Sequence, residues 1–169
     1  MLEHTFPPRC WNTLVKRMPI PCVDTIVHRR GEVLLGWRTI QPYKNVWALI
    51  GGRMRYGETF SDTSIRNCQE SGLMIQQPKY LGIFPIRFLH GRHELSICIV
   101  ARHVKGEPKP TRELAKYIWV KENELAKMHP IGANYLKMLN LWRRKRSSRA
   151  LRFGVRIPKP KEKVFFLFV

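Results

Sequence analysis

Apolar and polar positions along this chain follow two different periods. Segments in which β-branched and apolar residues dominate or alternate with polar ones predict strands. These segments are 21–28, 33–38, 46–50, 80–88, 94–104 and 117–120. Turn residues at 30–32 and 89–92 separate neighbouring strands and predict two hairpins.

Other segments place their apolar residues at helical spacing. The predicted helices are an amphipathic segment that ends before Pro19 and the ranges 59–71, 122–128 and 131–142. Gly72 follows the second of these helices as a C-terminal stop, and the pair Gly51-Gly52 closes the strand at 46–50. Strands and hairpins with helices between them predict an α/β or α+β domain with a mixed sheet.

The length of 169 residues corresponds to one domain with a short appendage. We assign residues 1–142 to the domain, with 1–18 as its N-terminal helical segment. Residues 143–169 form a basic C-terminal extension, because residues 141–169 hold ten Lys or Arg and one Glu. This composition is typical of a solvated extension, with contact to RNA or another anionic surface as the alternative.

Composition excludes several classes of protein. With 44% apolar and 25% charged residues, the chain has enough apolar material for a core and is not disordered throughout. No apolar run approaches the roughly 20 residues that cross a bilayer, and the first residues do not resemble a secretion signal. The four cysteines lack the spacing of a zinc site, so we expect reduced thiols and a cytoplasmic protein. The net charge of +19 indicates anionic partners.

One segment carries the pattern of a catalytic motif. Gly52, Glu58, Arg66 and Glu70 follow one another at set intervals, and Gly72 closes the segment. Glycines at the end of a strand allow the backbone to approach a ligand closely. A carboxylate on the helix that follows can hold an oxygen-seeking cation such as Mg²⁺ against a diphosphate.

This segment resembles the Nudix box, whose pattern is G-x5-E-x7-R-E-U-x-E-E-x-G-U. The resemblance implies the Nudix fold, an α/β fold in which a mixed sheet is sandwiched between helices. Two glutamates of the pattern are replaced, the first by Asn67 and the second by Ser71 or Gln69. The box is also one residue short between Arg66 and Gly72. A gap before Glu70 rotates its carboxylate by about 100° around the helix, whereas a gap after it leaves the face unchanged.

A wider likeness covers roughly residues 10–140. The segments 18–27, 31–39 and 46–53 are similar to the GDP-mannose mannosyl hydrolase branch of the Nudix hydrolases, which also has a depleted box. In that branch water attacks the anomeric carbon of the sugar, and the nucleoside diphosphate leaves. The resemblance implies one Mg²⁺ or Mn²⁺ ion on the diphosphate, a nucleotide sugar such as GDP-mannose as substrate, and a homodimer.

The resemblance also implies roles for individual residues. The implied metal ligands are the carbonyl of Gly51 and the carboxylates of Glu70 and Glu113. The implied substrate contacts are Asp24, Arg38, Arg53 and Arg66, and the implied catalytic residues are Glu70, Glu113 and Arg38. Arg66 has a structural alternative, in which it pairs with Glu58 and joins the loop to the helix.

The general base is not determined by the sequence. Leu114 stands where the family places a histidine, and leucine cannot accept a proton. Glu113, His90 and His93 are the alternative bases. Two other functions stay open: cleavage of a nucleoside diphosphate derivative between its phosphates, and a catalytically impaired module that binds nucleotide or RNA.

Overall fold

The structure is a computed structural model that describes residues 7–89 and 91–150. Its elements, in chain order, are α1 Pro8–Arg17, β1 Ile20–Arg29, β2 Glu32–Arg38, β3 Val46–Ala48, β4 Ile50–Arg53, α2 Phe60–Glu70, β5 Met74–Arg87, β6 His93–Lys105, β7 Leu114–Lys121 and α3 Ala133–Ala150. A short 3₁₀ helix covers Leu125–Lys127.

The strands of the described chain form one mixed sheet. Five of them follow the order β3-β2-β1-β6-β5, while β4 pairs with β1 and β7 pairs with β2. Strands β1 and β6 run parallel, and the other pairs are antiparallel. The mixed sheet with three helices confirms the predicted fold class, and both predicted hairpins, β1–β2 and β5–β6, are present.

The core lies between the sheet and two of the helices. Val27, Leu34 and Leu35 of the sheet are almost fully buried and belong to the same apolar cluster as Cys68 of α2 and Met138 of α3. Burial of this apolar surface is the main favourable contribution to folding. Because β1 is central in the sheet, polar residues that it carries become part of the interior.

Several predicted boundaries differ from the structure. The glycine pair Gly51-Gly52 lies within β4 instead of after a strand, because both residues pair with β1. Strand β5 begins at Met74, since its pairing with β6 continues through register shifts. The predicted helix 122–128 is wrong in extent, as only the 3₁₀ turn Leu125–Lys127 forms.

The last helix extends eight residues beyond the predicted end at Trp142, to Ala150. The basic residues after Trp142 bind the domain: Lys145 Nζ donates to the carbonyl of Leu81 at 2.8 Å, and Arg146 pairs with Glu122. The division at residue 142 stays a prediction, and residues 151–169 of the extension lie outside the described residues. No helix within residues 7–89 and 91–150 is long and apolar enough to cross a membrane.

Helix α2 begins with a capping box. The Thr59 hydroxyl accepts a hydrogen bond from the backbone N–H of Asp62, and the Asp62 carboxylate accepts one from the N–H of Thr59. These bonds satisfy backbone donors that the first turn of a helix leaves without partners. The start of α2 is therefore fixed locally by sequence.

We expect Thr59→Ala to lower the free energy of unfolding by about 1 kcal/mol, the usual cost of losing an N-cap. Urea denaturation followed by circular dichroism measures this change. Thr13→Ala is the matched control, because the exposed Thr13 hydroxyl bonds a carbonyl within α1 and caps no helix. An equal loss in the two variants would contradict the capping role.

Candidate active site

Asp24 lies on β1 directly opposite Gly51 of β4. Its carboxylate is buried and accepts a hydrogen bond from Ser96 of the parallel neighbour β6. A Cβ atom at position 51 would stand 2.1 Å from Asp24 Oδ1, so only glycine leaves room for the carboxylate. The first glycine of the pair thus accommodates an acidic side chain of this chain, a role that the sequence pattern did not indicate.

Burial raises the pKa of Asp24 to about 6, although the hydrogen bond from Ser96 opposes the shift. The nearby Glu94 carboxylate raises it further, and the Arg38 guanidinium lowers it. Glu94 is itself mostly buried, pairs with Arg92 and has a raised pKa for the same reason, desolvation. Acidic groups with raised pKa values are typical of functional sites.

We expect Asp24→Asn to raise the free energy of unfolding at pH 7.5 by about 1–2 kcal/mol, because the amide removes a buried charge. The folded pKa of about 6 lies above the ordinary value of 3.8, so the ionised carboxylate destabilises the fold at high pH. This cost shrinks as the pH falls through 6 and is gone below 3.8. Thermal unfolding of both proteins between pH 3.5 and 8, in steps of about half a unit, checks the sign. A pH-independent difference would contradict it.

Arg38 and Glu113 come together although 75 residues separate them. Arg38 Nη1 donates to Glu113 Oε2 at 2.7 Å, and Arg38 Nε donates to the carbonyl of Pro42 at 2.7 Å. The side chain of Arg38 is 14% exposed and that of Glu113 is 45% exposed. The structure thus brings a predicted substrate contact against a predicted metal ligand.

Leu114, at the family's histidine position, is buried in the apolar core. Its side chain fills the space beside Gly36, where an added Cβ would meet Leu114 Cδ1 at 2.8 Å. The leucine offers no proton acceptor there. Of the alternative bases, His93 has a buried Nε2 without a hydrogen-bond partner among the described residues, and His90 lies outside them.

Arg66 joins the loop after β4 to helix α2. It donates from Nε and Nη2 to the two oxygens of Glu58 at 2.5 and 2.8 Å, and from Nη2 to the carbonyl of Arg53 at 2.9 Å. The Arg66 hydrogen bonds lower the pKa of Glu58 to about 2, with smaller contributions from the Arg55 N–H and the Thr63 hydroxyl. The structural alternative for Arg66 is therefore present, and substrate contact by Arg66 stays a prediction.

Glu70 lies at the last residue of α2 and its side chain is 51% exposed. Its Oε1 atom is 3.2 Å from Arg55 Nη2 and 3.3 Å from Arg66 Nη1. Because α2 is continuous from Phe60 to Glu70 and Arg66 binds both Glu58 and Glu70, the residue missing from the box falls after Glu70. The Glu70 carboxylate therefore lies on the face of α2 that the Nudix pattern assigns to it.

Asn67 and Ser71, which stand at glutamate positions of the box, are both buried and hydrogen-bonded in this chain. Asn67 is buried, accepts a hydrogen bond from Arg66 at 2.8 Å and packs so closely on Gly52 that a Cβ there would lie 2.8 Å from Asn67 Oδ1. Ser71 is also buried and accepts a hydrogen bond from the hydroxyl of Tyr117 at 3.1 Å. Glu70 is therefore the carboxylate that the last turn of α2 offers to solvent.

Arg53 is the last residue of β4, and its carbonyl accepts the hydrogen bond from Arg66. Its guanidinium lies 4.2 Å from the ring centroid of Trp11 in α1, a cation–π contact. Substrate contact by Arg53 stays a prediction. In the part of the chain that the structure describes, no three His, Cys, Asp or Glu side chains converge as a complete metal site. Glu70 pairs with Arg55 and Arg66, whereas Glu113 pairs with Arg38.

Sequence reasoning missed Ser96 and Glu94 as neighbours of Asp24. Their signal was weak: polar residues at the start of an otherwise apolar predicted strand. Only the parallel pairing of β1 with β6, which sets Cys22 opposite Ser96, brings them to the site.

Comparison with known proteins identifies the family to which this arrangement belongs. The family model of the NUDIX domain matches residues 18–140. The chain is a member of the Nudix hydrolase family. Among solved structures, the MutT NUDIX hydrolase of Burkholderia pseudomallei has a TM-score of 0.68 at 19% identity, covering 74% of this chain and 98% of that one. The NUDIX domain of Shewanella oneidensis NrtR, solved with ADP ribose, has a TM-score of 0.66 at 18% identity over 86% and 99%.

Two curated relatives are similar to parts of this chain. The low-salt glycan biosynthesis protein Agl8 of Haloferax volcanii is 32% identical over 44% of this chain and 48% of its own length. The ADP-ribose pyrophosphatase of Methanocaldococcus jannaschii is 30% identical over 65% of this chain and 66% of its own length. The Nudix chain thus spans between about half and two thirds of these relatives.

Proposed function

We propose that the chain hydrolyses a nucleoside diphosphate-linked sugar, such as GDP-mannose, at a site that uses a single divalent cation. The observation that carries this proposal is the reduced set of carboxylates on α2. Glu70 faces solvent, while Asn67 and Ser71 are buried at the positions of the other acids. A site with one available carboxylate suits the departure of a diphosphate better than a reaction that needs several cations.

The donor atoms present fit one Mg²⁺ or Mn²⁺ ion. Mg²⁺ takes one or two protein carboxylates together with substrate phosphates and water, and it prefers oxygen ligands. Glu70 supplies a half-exposed carboxylate and Gly51 a backbone carbonyl, with Glu113 as the third predicted ligand. A bound cation supplies charge neutralisation for the leaving diphosphate.

The chain's own residues bind and orient the substrate. Arg38 and Arg53 offer guanidinium groups to the diphosphate, because arginine forms bidentate contacts with phosphate oxygens. Asp24 is the predicted contact to the rest of the substrate. Arg66 holds the loop and helix α2 in place through Glu58, so that Glu70 stays fixed relative to β4.

The absence of a histidine at position 114 is compatible with this reaction. Cleavage at an anomeric carbon passes through a transition state with oxocarbenium character, in which departure of the leaving group matters as much as attack by water. Glu113 and His93 are the described side chains predicted to assist that water. The apolar environment of Leu114 excludes proton transfer at its position.

A second function, pyrophosphate hydrolysis, is supported by the similarity to the ADP-ribose pyrophosphatase. In that reaction water attacks phosphorus instead of carbon. ADP-ribose and GDP-mannose both contain a nucleoside diphosphate linked to a sugar, so the same arginines would bind either substrate. Homodimer formation, RNA contact through residues 143–169 and a cytoplasmic location stay predictions.

Incubation with GDP-mannose or ADP-ribose, Mg²⁺ and ¹⁸O-labelled water distinguishes the reactions. We expect label on the anomeric carbon of the released sugar, read by NMR and mass spectrometry. Label on phosphate would assign the pyrophosphohydrolase reaction. Nucleotide binding without turnover of either substrate would instead indicate a binding module.

A further inference from the structure

Two hydrogen bonds fix the guanidinium plane of Arg38. Nε donates to the carbonyl of Pro42 and Nη1 donates to Glu113, both at 2.7 Å. Among the described residues the hydrogen bonds of Arg38 use Nε and Nη1, so the Nη2 donors remain available to a ligand. Arginine is well suited to such an arrangement, because its five N–H groups lie in one rigid plane.

The backbone around Glu113 is held as firmly as its side chain. The N–H of Thr39 donates to the carbonyl of Glu113 at 2.9 Å, directly after Arg38 in β2. Within the loop, the N–H of Thr111 donates to the carbonyl of Leu114, and Leu114 packs against Gly36. Both the backbone carbonyl and the carboxylate of Glu113 thus accept hydrogen bonds from residues at the end of β2.

Glu113 and Glu70 have different arginine partners. Glu70 binds Arg55 and Arg66 beside α2, whereas Glu113 binds Arg38 beside β2. A charge-assisted hydrogen bond at 2.7 Å is short, and its geometry sets where the free edge of the guanidinium points. The two pairs of Glu70 are longer, at 3.2 and 3.3 Å, so its carboxylate is held less closely by arginine than that of Glu113.

We infer that Glu113 is a positioning residue that orients Arg38 toward the substrate diphosphate, and this role replaces its predicted role as a ligand of the cation. The inference rests on the proposed function, because it assumes that Arg38 contacts a diphosphate. Pre-organised donors bind more tightly than mobile ones, since less freedom is lost on binding. Loss of the Glu113 charge releases Arg38 and weakens nucleotide binding, but it leaves cation binding at Glu70 unchanged.

The experiment combines Glu113→Gln with Arg38→Gln and the double variant. Calorimetry with GDP is expected to show about tenfold weaker binding for each single variant and no further loss in the double variant, because the two residues act as one unit. Titration with Mn²⁺ alone, followed by water proton relaxation, is expected to give an unchanged affinity for Glu113→Gln. Glu70→Gln is expected to weaken Mn²⁺ binding by about tenfold or more, because it removes a charged oxygen ligand.

Glu107→Gln is the matched control, since this exposed carboxylate lies in the same connection between β6 and β7. Weaker Mn²⁺ binding by Glu113→Gln, unchanged GDP binding, or losses that add in the double variant would each overturn the inference. If the effects of the two substitutions on GDP binding do not add, but the protein hydrolyses no nucleotide sugar, only the proposed function would be overturned. Absence of GDP binding by the unmodified protein would overturn both.

Discussion

Glu70→Gln is expected to lower the turnover of a nucleotide sugar about a thousandfold or more, because a bound cation stabilises the leaving group by several kcal/mol. The amide is a far weaker ligand than the carboxylate. Arg38→Lys, in contrast, should weaken substrate binding only moderately, since the lysine ammonium and neighbouring arginines replace part of the lost guanidinium contact. Steady-state kinetics across a range of Mg²⁺ concentrations measures both effects.

The fold should survive this substitution. Glu70 is half exposed and its pairs with Arg55 and Arg66 are of the kind that contribute little to stability. We expect the free energy of unfolding to change by about 0.5 kcal/mol or less. Glu124→Gln, at an exposed carboxylate away from the site, is the control for loss of one charge. Turnover by Glu70→Gln within about threefold of the unmodified protein would exclude Glu70 from the chemistry.

Glu58→Gln is expected to lower the free energy of unfolding by about 3 kcal/mol at pH 7, the largest stability change that we predict. The Glu58 carboxylate accepts two bonds from Arg66, one from the Arg55 N–H and one from the Thr63 hydroxyl. Glutamine keeps the shape but loses the charge, so Arg66 loses its closest ionic partner. Chemical denaturation of both proteins measures the difference.

The pH dependence provides the second test of the Glu58 pair. The folded pKa of Glu58, about 2, lies below the ordinary value of 4.5, so its stabilising contribution is complete above pH 4.5 and is lost as the pH falls toward 2. The stability difference between Glu58→Gln and the unmodified protein should therefore be constant at neutral pH and shrink in acid. A difference that grows as the pH falls below 4.5 would contradict the ion pair.

The sequence predicted best those parts of the site that are close together along the chain. Glu58, Arg66 and Glu70 lie within one loop and one helix, so their order in the box and the helical period place them on one face. The alternative pairing of Arg66 with Glu58 followed from the same spacing. The position of the missing residue did not, since helix continuity decides it and either placement satisfies the pattern.

Contacts between distant segments could not be predicted from the sequence. Arg38 and Glu113 were predicted to act on substrate and metal, but their mutual hydrogen bond depends on the antiparallel pairing of β2 with β7. Ser96 reaches Asp24 because β6 lies parallel to β1, a pairing that no hairpin turn specifies. The burial of Leu114 likewise depends on its contact with Gly36 across the sheet.

By itself, the sequence determined the mixed α/β architecture, the hairpins, helix α2 and the family, because hydrophobic period, turn residues and motif spacing are local properties. The tertiary structure alone decided which charges are paired: Glu113 with Arg38, Glu70 with Arg55 and Arg66, and Asp24 with Ser96. Such pairings depend on strand order and register, and these are set by burial of the whole sheet and not by any single segment.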